Sequence, residues 1–139
     1  LTRVYERVLP SGTTEPLGQP KVGDLVKVTI TAALPDRSLR YLAIDDPLPS
    51  SFQAINTLFD SQTSGRTKEQ SSWRISNTEV RTDRVLFFVD YTRASQNFEM
   101  SYHARVTHEG EFYAPPTKVE EMYEPENYAL SASKILTVR

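Results

Sequence analysis

Alternation of apolar and polar residues is the feature of this chain that most limits its fold. Val26, Val28 and Ile30 are separated from one another by single polar residues. A period of two places successive side chains on opposite sides of an extended strand, so one side faces a core. Apolar residues alternate with polar ones again over residues 98–106. We predict strands at both places.

A third strand is predicted over residues 85–91. Apolar side chains alternate there from Val85 to Tyr91, and Leu86 and Phe88 make the stretch apolar on both sides. Such a strand is typical of the middle of a sheet. Because only a short polar stretch at residues 93–96 precedes the strand at 98–106, we expect these two strands to pair as a hairpin.

Further strands are predicted at 2–9, 40–44, 72–80, 111–114 and 134–138, with turn formers between them. A short helical turn is expected at 54–60, and the polar, aperiodic stretch 61–72 is expected to be a long mobile loop. No good amphipathic helix is present. Seven to nine short strands at this spacing favour an antiparallel β-sandwich.

Length and composition limit the domain count and the partners. The 139 residues are enough for one domain with a core and too few for two, so 1–139 is treated as a single domain. The formal charge of -2 gives no basic surface for nucleic acid or anionic lipid. No apolar run reaches the roughly 18 residues that span a bilayer. Without Cys, the chain offers no thiol chemistry.

Two sets of residues resemble metal ligands. His103 and His108, with nearby Glu109 and Glu111, have no spacing that forces them to converge on zinc, so ordinary exposed histidines are the favoured interpretation. The pair at 45–46 could supply oxygens to calcium. The favoured alternative is a strand terminator, in which Asp bonds its own turn amides and Pro47 prevents further pairing. We therefore expect no metal and no other cofactor.

No catalytic constellation is recognisable, because the sequence has neither a nucleophile elbow nor a Gly-rich phosphate loop. The acidic residues at 120–126 would suit glycoside hydrolysis only across a cleft. An aromatic platform for sugar is an alternative use of Trp73 and four tyrosines, at positions 5, 41, 102 and 113. Core packing explains most of these aromatic residues. The sequence therefore predicts a domain that is not an enzyme.

Five segments resemble the carboxy-terminal, immunoglobulin-like domain of bacterial alpha-2-macroglobulins. They occupy residues 22–28 (VGDLVKV), 44–49 (IDDPLP), 83–85 (DRV), 102–106 (YHARV) and 114–123 (APPTKVEEMY), and the resemblance covers nearly the whole chain. The family implies a large parent protein that traps proteases, and the chain starts without Met, as a fragment would. Glu69-Gln70 stands without the Cys of the family's C-x-E-Q thioester motif, so the reactive bond is expected in an upstream domain.

The resemblance also implies a functional loop at 114–128 that shields the thioester from water until a bait region is cut. Its expected residues are an apolar centre with a polar rim and two flanking prolines: Met122, Tyr123, Glu120, Glu121, Glu124, Lys118, Pro115 and Pro116. The alternative is that Met122 and Tyr123 only pack the loop onto its own sheet. Expected partners are the thioester domain and neighbouring macroglobulin-like domains, with trapped proteases contacted indirectly.

The resemblance places the parent in the periplasm, as a membrane-anchored lipoprotein, with no membrane contact from this domain. A different class of function stays open beside this one. In it, the chain is an independent β-sandwich module that binds carbohydrate or a surface protein.

Overall fold

The computed structural model describes residues 1–33, 39–55, 77–92 and 97–138. These residues form twelve strands: β1 (Thr2–Val8), β2 (Thr14–Pro16), β3 (Leu25–Ala33), β4 (Leu39–Pro47), β5 (Phe52–Ala54), β6 (Asn77–Val80), β7 (Arg84–Thr92), β8 (Asn97–Val106), β9 (Gly110–Ala114), β10 (Lys118–Glu121), β11 (Glu124–Leu130) and β12 (Lys134–Val138). The predicted antiparallel β-sandwich is confirmed. The count exceeds seven to nine because several strands have only three to five residues.

The described ranges form two five-stranded sheets and one short two-stranded ladder. The first sheet has the order β2-β1-β3-β8-β5, and the second has the order β11-β10-β4-β7-β6. Strands β12 and β9 form a separate two-stranded sheet. Every described pairing is antiparallel. The hairpin β10–β11 therefore lies at one edge of the second sheet.

The core consists of the inward-facing residues of the alternating strands. Val26, Val28 and Ile30 are fully buried on β3, as their period predicts. Strand β7 lies between β4 and β6, so its predicted interior position in a sheet is confirmed. The rings of Phe87 on β7 and Tyr102 on β8 lie 6.3 Å apart, centroid to centroid. This contact joins the two sheets across the sandwich.

The prediction that β7 and β8 pair as a hairpin is wrong. Strand β7 pairs with β4 and β6 in the second sheet, whereas β8 pairs with β3 and β5 in the first. The chain thus changes sheet between residues 92 and 97. Alternation in both strands reflects two inward faces that meet across the core. A period of two identifies the buried face of a strand and does not identify its neighbour.

The weaker predicted strands at 2–9, 40–44, 111–114 and 134–138 correspond to β1, β4, β9 and β12. The strand expected at 72–80 is described only from Asn77 onward. Ala54, the first residue of the expected helical turn, belongs to β5. Ile55 follows β5 and donates its amide to the His103 carbonyl at 2.8 Å, and residues 56–60 of that turn and the loop at 61–72 lie outside the described residues. Within the described ranges, no helix has the length and hydropathy needed to cross a membrane.

Candidate functional site

Residues 114–128, expected as a loop, are mostly a β-hairpin. Strands β10 and β11 pair from Lys118 opposite Leu130 to Glu121 opposite Glu124. This register leaves a two-residue turn, Met122 and Tyr123, which we call the hairpin tip. The ladder is irregular between Glu120 and Glu121, and such irregularities add local twist to a strand pair. The segment is therefore more ordered than a proline-bounded loop.

Most of the apolar residues of the hairpin are exposed to solvent. All seven residues of β11 are exposed, so neither face of this strand is covered by the first sheet. At the hairpin tip, Met122 is 49% exposed and Tyr123 is 78% exposed. Only Val119, on β10, packs against the core from this hairpin. Most of the Tyr123 surface is therefore accessible to solvent.

Tyr41 on β4 supports the hairpin tip, and sequence reasoning missed this role. Its carbonyl oxygen accepts a hydrogen bond from the Met122 amide at 2.8 Å. Its ring meets the Tyr123 ring edge to face, with centroids 5.2 Å apart. Tyr41 also has a φ of 57°, a left-handed conformation that costs a bulky residue about 1–2 kcal/mol. No sequence signal marks a strand tyrosine for such a backbone.

The predicted polar rim surrounds this tip unevenly. Glu121 and Glu124 are cross-strand partners directly beside the turn. Glu120 lies on β10 one residue farther from the turn than Glu121. Its carboxylate pairs with Lys118, with 3.2 Å between Nζ and Oε2. The Lys118 ammonium also lies 5.3 Å from the centre of the Tyr128 ring. Carboxylates therefore concentrate near the tip, and the cation lies at the base.

Beneath the hairpin is a buried polar group, here called the Asp46 cluster: Arg3, Asp46, Tyr102 and Thr117. Asp46 is fully buried, and the Arg3 side chain is only 2% exposed. Oδ1 of Asp46 accepts bonds from Arg3 Nη1 at 2.6 Å and from Thr117 Oγ1 at 2.7 Å. Oδ2 accepts a bond from the Tyr102 hydroxyl. The buried carboxylate is thus compensated by three donors.

The expectation that Asp46 terminates a strand by bonding its own turn amides is wrong. Asp46 lies within β4 and follows Leu42 and Ile44 in the inward series. Asp45 faces the other way and accepts a bond from Arg84 Nη1 at 2.7 Å. Adjacent strand residues point to opposite faces, so the two carboxylates do not converge on one cation. Burial raises the pKa of Asp45, and the charge of Arg84 opposes that rise.

The base of the hairpin is closed by Thr117 and Ser131. The Thr117 amide donates to Ser131 Oγ at 2.8 Å, and the Ser131 amide donates to the Thr117 carbonyl at 2.9 Å. Pro115 and Pro116 precede this pair and have no amide hydrogen to donate. In the segment between β9 and β10, Thr117 therefore has the only backbone donor.

The other candidate sites are not assembled in the described part of the chain. Of the proposed aromatic platform, Tyr5 and Tyr102 are buried in the core. Tyr41 and Tyr113 are exposed on different sheets, and Trp73 lies outside the described residues.

The two histidines are separated by the end of β8, and His108 Nδ1 lies 2.8 Å from the hydroxyl of its neighbour Thr107.

Among the residues that the structure describes, no group of three or more His, Asp or Glu side chains could hold a metal ion. The acidic residues from Glu120 to Glu126 all belong to one projecting hairpin rather than to two sides of a cleft. The candidate site is therefore an exposed surface, built from Tyr41 and the hairpin tip, rather than a cleft.

Comparison with known proteins places this geometry in a family context. Residues 1–126 match the family model described as "Bacterial Alpha-2-macroglobulin MG10 domain". An "Alpha-2-macroglobulin homolog" from Nostoc is 27% identical over 103 residues, which cover 74% of this chain and 5% of that protein.

Solved structures agree on the fold. Escherichia coli alpha-2-macroglobulin activated by porcine elastase superposes with a TM-score of 0.81 and 25% identity, over 99% of this chain and 13% of the other. Salmonella alpha-2-macroglobulin reacted with methylamine gives a TM-score of 0.75 and 23% identity, over 99% and 9%. The chain thus spans a small fraction of the length of each protein that it matches.

Proposed function

The chain belongs to the bacterial alpha-2-macroglobulin MG10 domain family, and from this premise we propose that its hairpin tip shields a thioester in a neighbouring domain. As a macroglobulin-like domain it is not catalytic. In this proposal it is the last domain of a parent protease inhibitor and packs against the thioester domain. A protease that cuts the bait region releases this contact, and the exposed thioester then captures the protease.

Exposure of an ordered apolar tip is the observation that carries the proposal. Tyr123 is 78% and Met122 is 49% exposed, yet Tyr41 fixes both the backbone and the ring of this turn. Interface hot spots are enriched in aromatic residues that fill pockets on the partner. An anchor already held in place also loses less conformational entropy on docking. The hairpin tip has both properties.

The side chains of the tip suit the protection of a reactive acyl bond. A thioester persists only where water and amines are kept away from its carbonyl carbon. The flat Tyr123 ring can cover such a bond, and the flexible Met122 side chain can fill the irregular space beside it. The proposal needs no acid, base or nucleophile from this domain, in agreement with the non-catalytic character of the family.

The rim of the tip suits a contact that must later separate. Charged residues Glu120, Glu121 and Glu124 surround a small apolar centre. Interfaces between domains of one chain are commonly modest in area and more polar than permanent ones. Such a contact holds the tip before bait cleavage and allows its departure afterwards. We also propose that the parent acts in the periplasm as a membrane-anchored lipoprotein, as the family resemblance implies.

A test uses the full-length parent protein and methylamine, the amine with which the Salmonella protein was reacted. The unaltered parent is expected to gain one methylamine and to expose one thiol, by intact mass and thiol titration. Met122→Ala/Tyr123→Ala is expected to accelerate this reaction by about tenfold or more, because a hot-spot contact is worth roughly 2 kcal/mol.

The matched control is Tyr113→Ala, since Tyr113 is 58% exposed and lies on the short two-stranded sheet. This variant is expected to react with methylamine at the unaltered rate. Equal rates for the unaltered parent and the tip variant would contradict shielding by this hairpin. A parent that gains no methylamine would contradict the thioester itself.

A further inference from the structure

The buried Asp46–Thr117 hydrogen bond has a special place in the sheet. In the β10–β4 ladder, Lys118 faces Asp45, Val119 faces Ile44 and Glu121 faces Leu42. Continuing this register by one residue places Thr117 opposite Asp46. Both side chains are fully buried, and their bond measures 2.7 Å. The contact is therefore an inward-facing cross-strand pair at the start of the hairpin.

The hydrophobic pattern of the hairpin specifies its register weakly. Of the β10 residues that face the same way as Thr117, only Val119 is apolar, and Glu121 is not. Strand β11 contributes no buried residue. When one face of a strand is apolar and buried, a one-residue slip in register would move all of those apolar side chains into water. The energetic cost prevents the slip. Strand β10 lacks such a set, so another interaction has to fix its register.

A buried charge is well suited to that role. Thr117, directly before β10, donates to the Asp46 carboxylate itself, whereas the Ala114 carbonyl farther upstream accepts a 3.3 Å bond from Arg3. A slipped register would leave the Thr117 hydroxyl without this acceptor, and an unpaired buried polar group is costly. Single buried polar residues set register in other folds for the same reason.

Register in turn decides where the hairpin tip lies. The Met122 amide meets the Tyr41 carbonyl, and the Tyr123 ring meets the Tyr41 ring, only in the observed alignment. A shift of one residue along β4 moves the tip by about 3.3 Å and reverses the faces of its side chains. Such a displacement is larger than the misplacement of about 1 Å that already impairs a precise contact.

We propose that Thr117 is a positioning residue for the hairpin tip, and that its bond to buried Asp46 locks the register of β10 on β4. This inference rests on the proposed shielding function only for its effect on the thioester. The register lock itself is a property of this domain. Thr117 acts through the hairpin and touches no reacting atom.

The test compares three threonine variants in the full-length parent protein. Thr117→Val keeps the shape of the side chain and removes its hydroxyl, while Thr117→Ser keeps the hydroxyl. Thr107→Val is the matched control, because its hydroxyl donates a 3.0 Å bond to the Ser51 carbonyl, away from the hairpin. Hydrogen exchange over residues 118–130 reports the order of the hairpin, and methylamine incorporation reports shielding.

Thr117→Val is expected to raise amide exchange over 118–130 by about tenfold or more, as loss of a bond to a charged acceptor implies. It is also expected to speed methylamine incorporation. Thr117→Ser should restore both measurements, and Thr107→Val should change neither, even where it lowers the melting temperature. Ser131→Ala, which removes the acceptor of the Thr117 amide, is a milder variant expected to act in the same direction.

Hairpin exchange in Thr117→Val equal to that in Thr107→Val would overturn the register lock, as would a failure of Thr117→Ser to restore it. The two proposals can fail separately. If Thr117→Val loosens the hairpin while Met122→Ala/Tyr123→Ala leaves methylamine incorporation unchanged, the lock stands and the shielding function is contradicted. If the tip variant accelerates incorporation while Thr117→Val changes neither incorporation nor hairpin exchange, shielding stands and the lock is contradicted.

Discussion

The ring of Tyr123 meets the ring of Tyr41 nearly perpendicularly, at an interplanar angle of 88° and a centroid distance of 5.2 Å. One residue is at the exposed turn of a hairpin, and the other interrupts a regular strand with a φ of 57°. Backbone strain of this kind persists where the surroundings hold it and often marks functional positions. Here the contact and the Met122–Tyr41 hydrogen bond hold the strained residue and the exposed turn together.

The Tyr41→Gly chain is expected to have a free energy of unfolding about 1 kcal/mol higher than the Tyr41→Ala chain, because only glycine adopts a left-handed φ without cost. Both variants lose the ring contact with Tyr123. Urea unfolding of the 139-residue chain provides the comparison. Ala43→Gly, elsewhere on β4, is the control and is expected to destabilise by about 0.5–1 kcal/mol. A Tyr41→Gly chain less stable than Tyr41→Ala would contradict the assigned strain.

Removing the carboxylate of Asp46 is expected to be among the most destabilising single changes. Asp46→Ala leaves the Arg3 guanidinium buried without its partner, which costs about 3–5 kcal/mol. Replacing both residues by apolar ones, as in Arg3→Met with Asp46→Leu, is expected to cost less than Asp46→Ala alone. Unfolding free energies of Arg3→Met, Asp46→Leu and the double variant, each measured against the unaltered chain, form the double-mutant cycle. Additive costs would show that the two charges do not depend on each other.

Two buried tyrosines are expected to respond oppositely to loss of their hydroxyl groups. Tyr102 donates to Asp46, so Tyr102→Phe should destabilise the chain by about 1.5–3 kcal/mol. The Tyr5 hydroxyl is buried with no hydrogen-bond partner among the described residues. Tyr5→Phe should therefore be neutral or slightly stabilising. The melting temperatures of the two variants test this prediction. A larger decrease in melting temperature for Tyr5→Phe than for Tyr102→Phe would contradict the assigned hydrogen bonding of the two hydroxyl groups.

Alkaline pH is expected to weaken the fold through the same two residues. Burial raises the pKa of Tyr5, and burial together with the charge of Asp46 raises the pKa of Tyr102, above the usual 10.0. The unfolded chain therefore loses these protons first, so the stability present below pH 10 falls as the pH rises further.

Above pH 10, the free energy of unfolding of Tyr102→Phe should fall less steeply than that of the unaltered chain. The difference is up to about 1.4 kcal/mol per pH unit, which is the slope that one titrating proton contributes. The measurement is urea unfolding on both sides of that pH. The same slope in the variant and in the unaltered chain would show that Tyr102 does not remain protonated in the folded state.

Local pattern accounts for the strands but not for the contacts between them. Residues 134–138 were predicted as a strand and form β12 without adjustment. The partner of β7 was predicted incorrectly, because alternation marks the buried face of a strand and carries no information on which sheet holds it. Chain separation between β7 and β8 is small, and proximity in sequence suggested a hairpin that the second sheet does not form.

The candidate site divides in a similar way. The sequence located Met122 and Tyr123 as an apolar pair among acids, but it gave no reason to join them to Tyr41. Asp46 follows Leu42 and Ile44 in an inward series, and this signal could have marked it as a buried polar residue. Its partners were beyond local reasoning, because Tyr102 is 56 residues away and Thr117 is 71 residues away.

Photo-crosslinking from position 123 tests the central claim most directly. A photoreactive phenylalanine analogue replaces Tyr123 in the full-length parent, and crosslinked peptides are mapped before and after protease treatment, with the same analogue at position 113 as the control. The shielding function predicts crosslinks from position 123 to the thioester-bearing segment before cleavage and their loss afterwards. Crosslinks confined to this domain, or unchanged by cleavage, would contradict it.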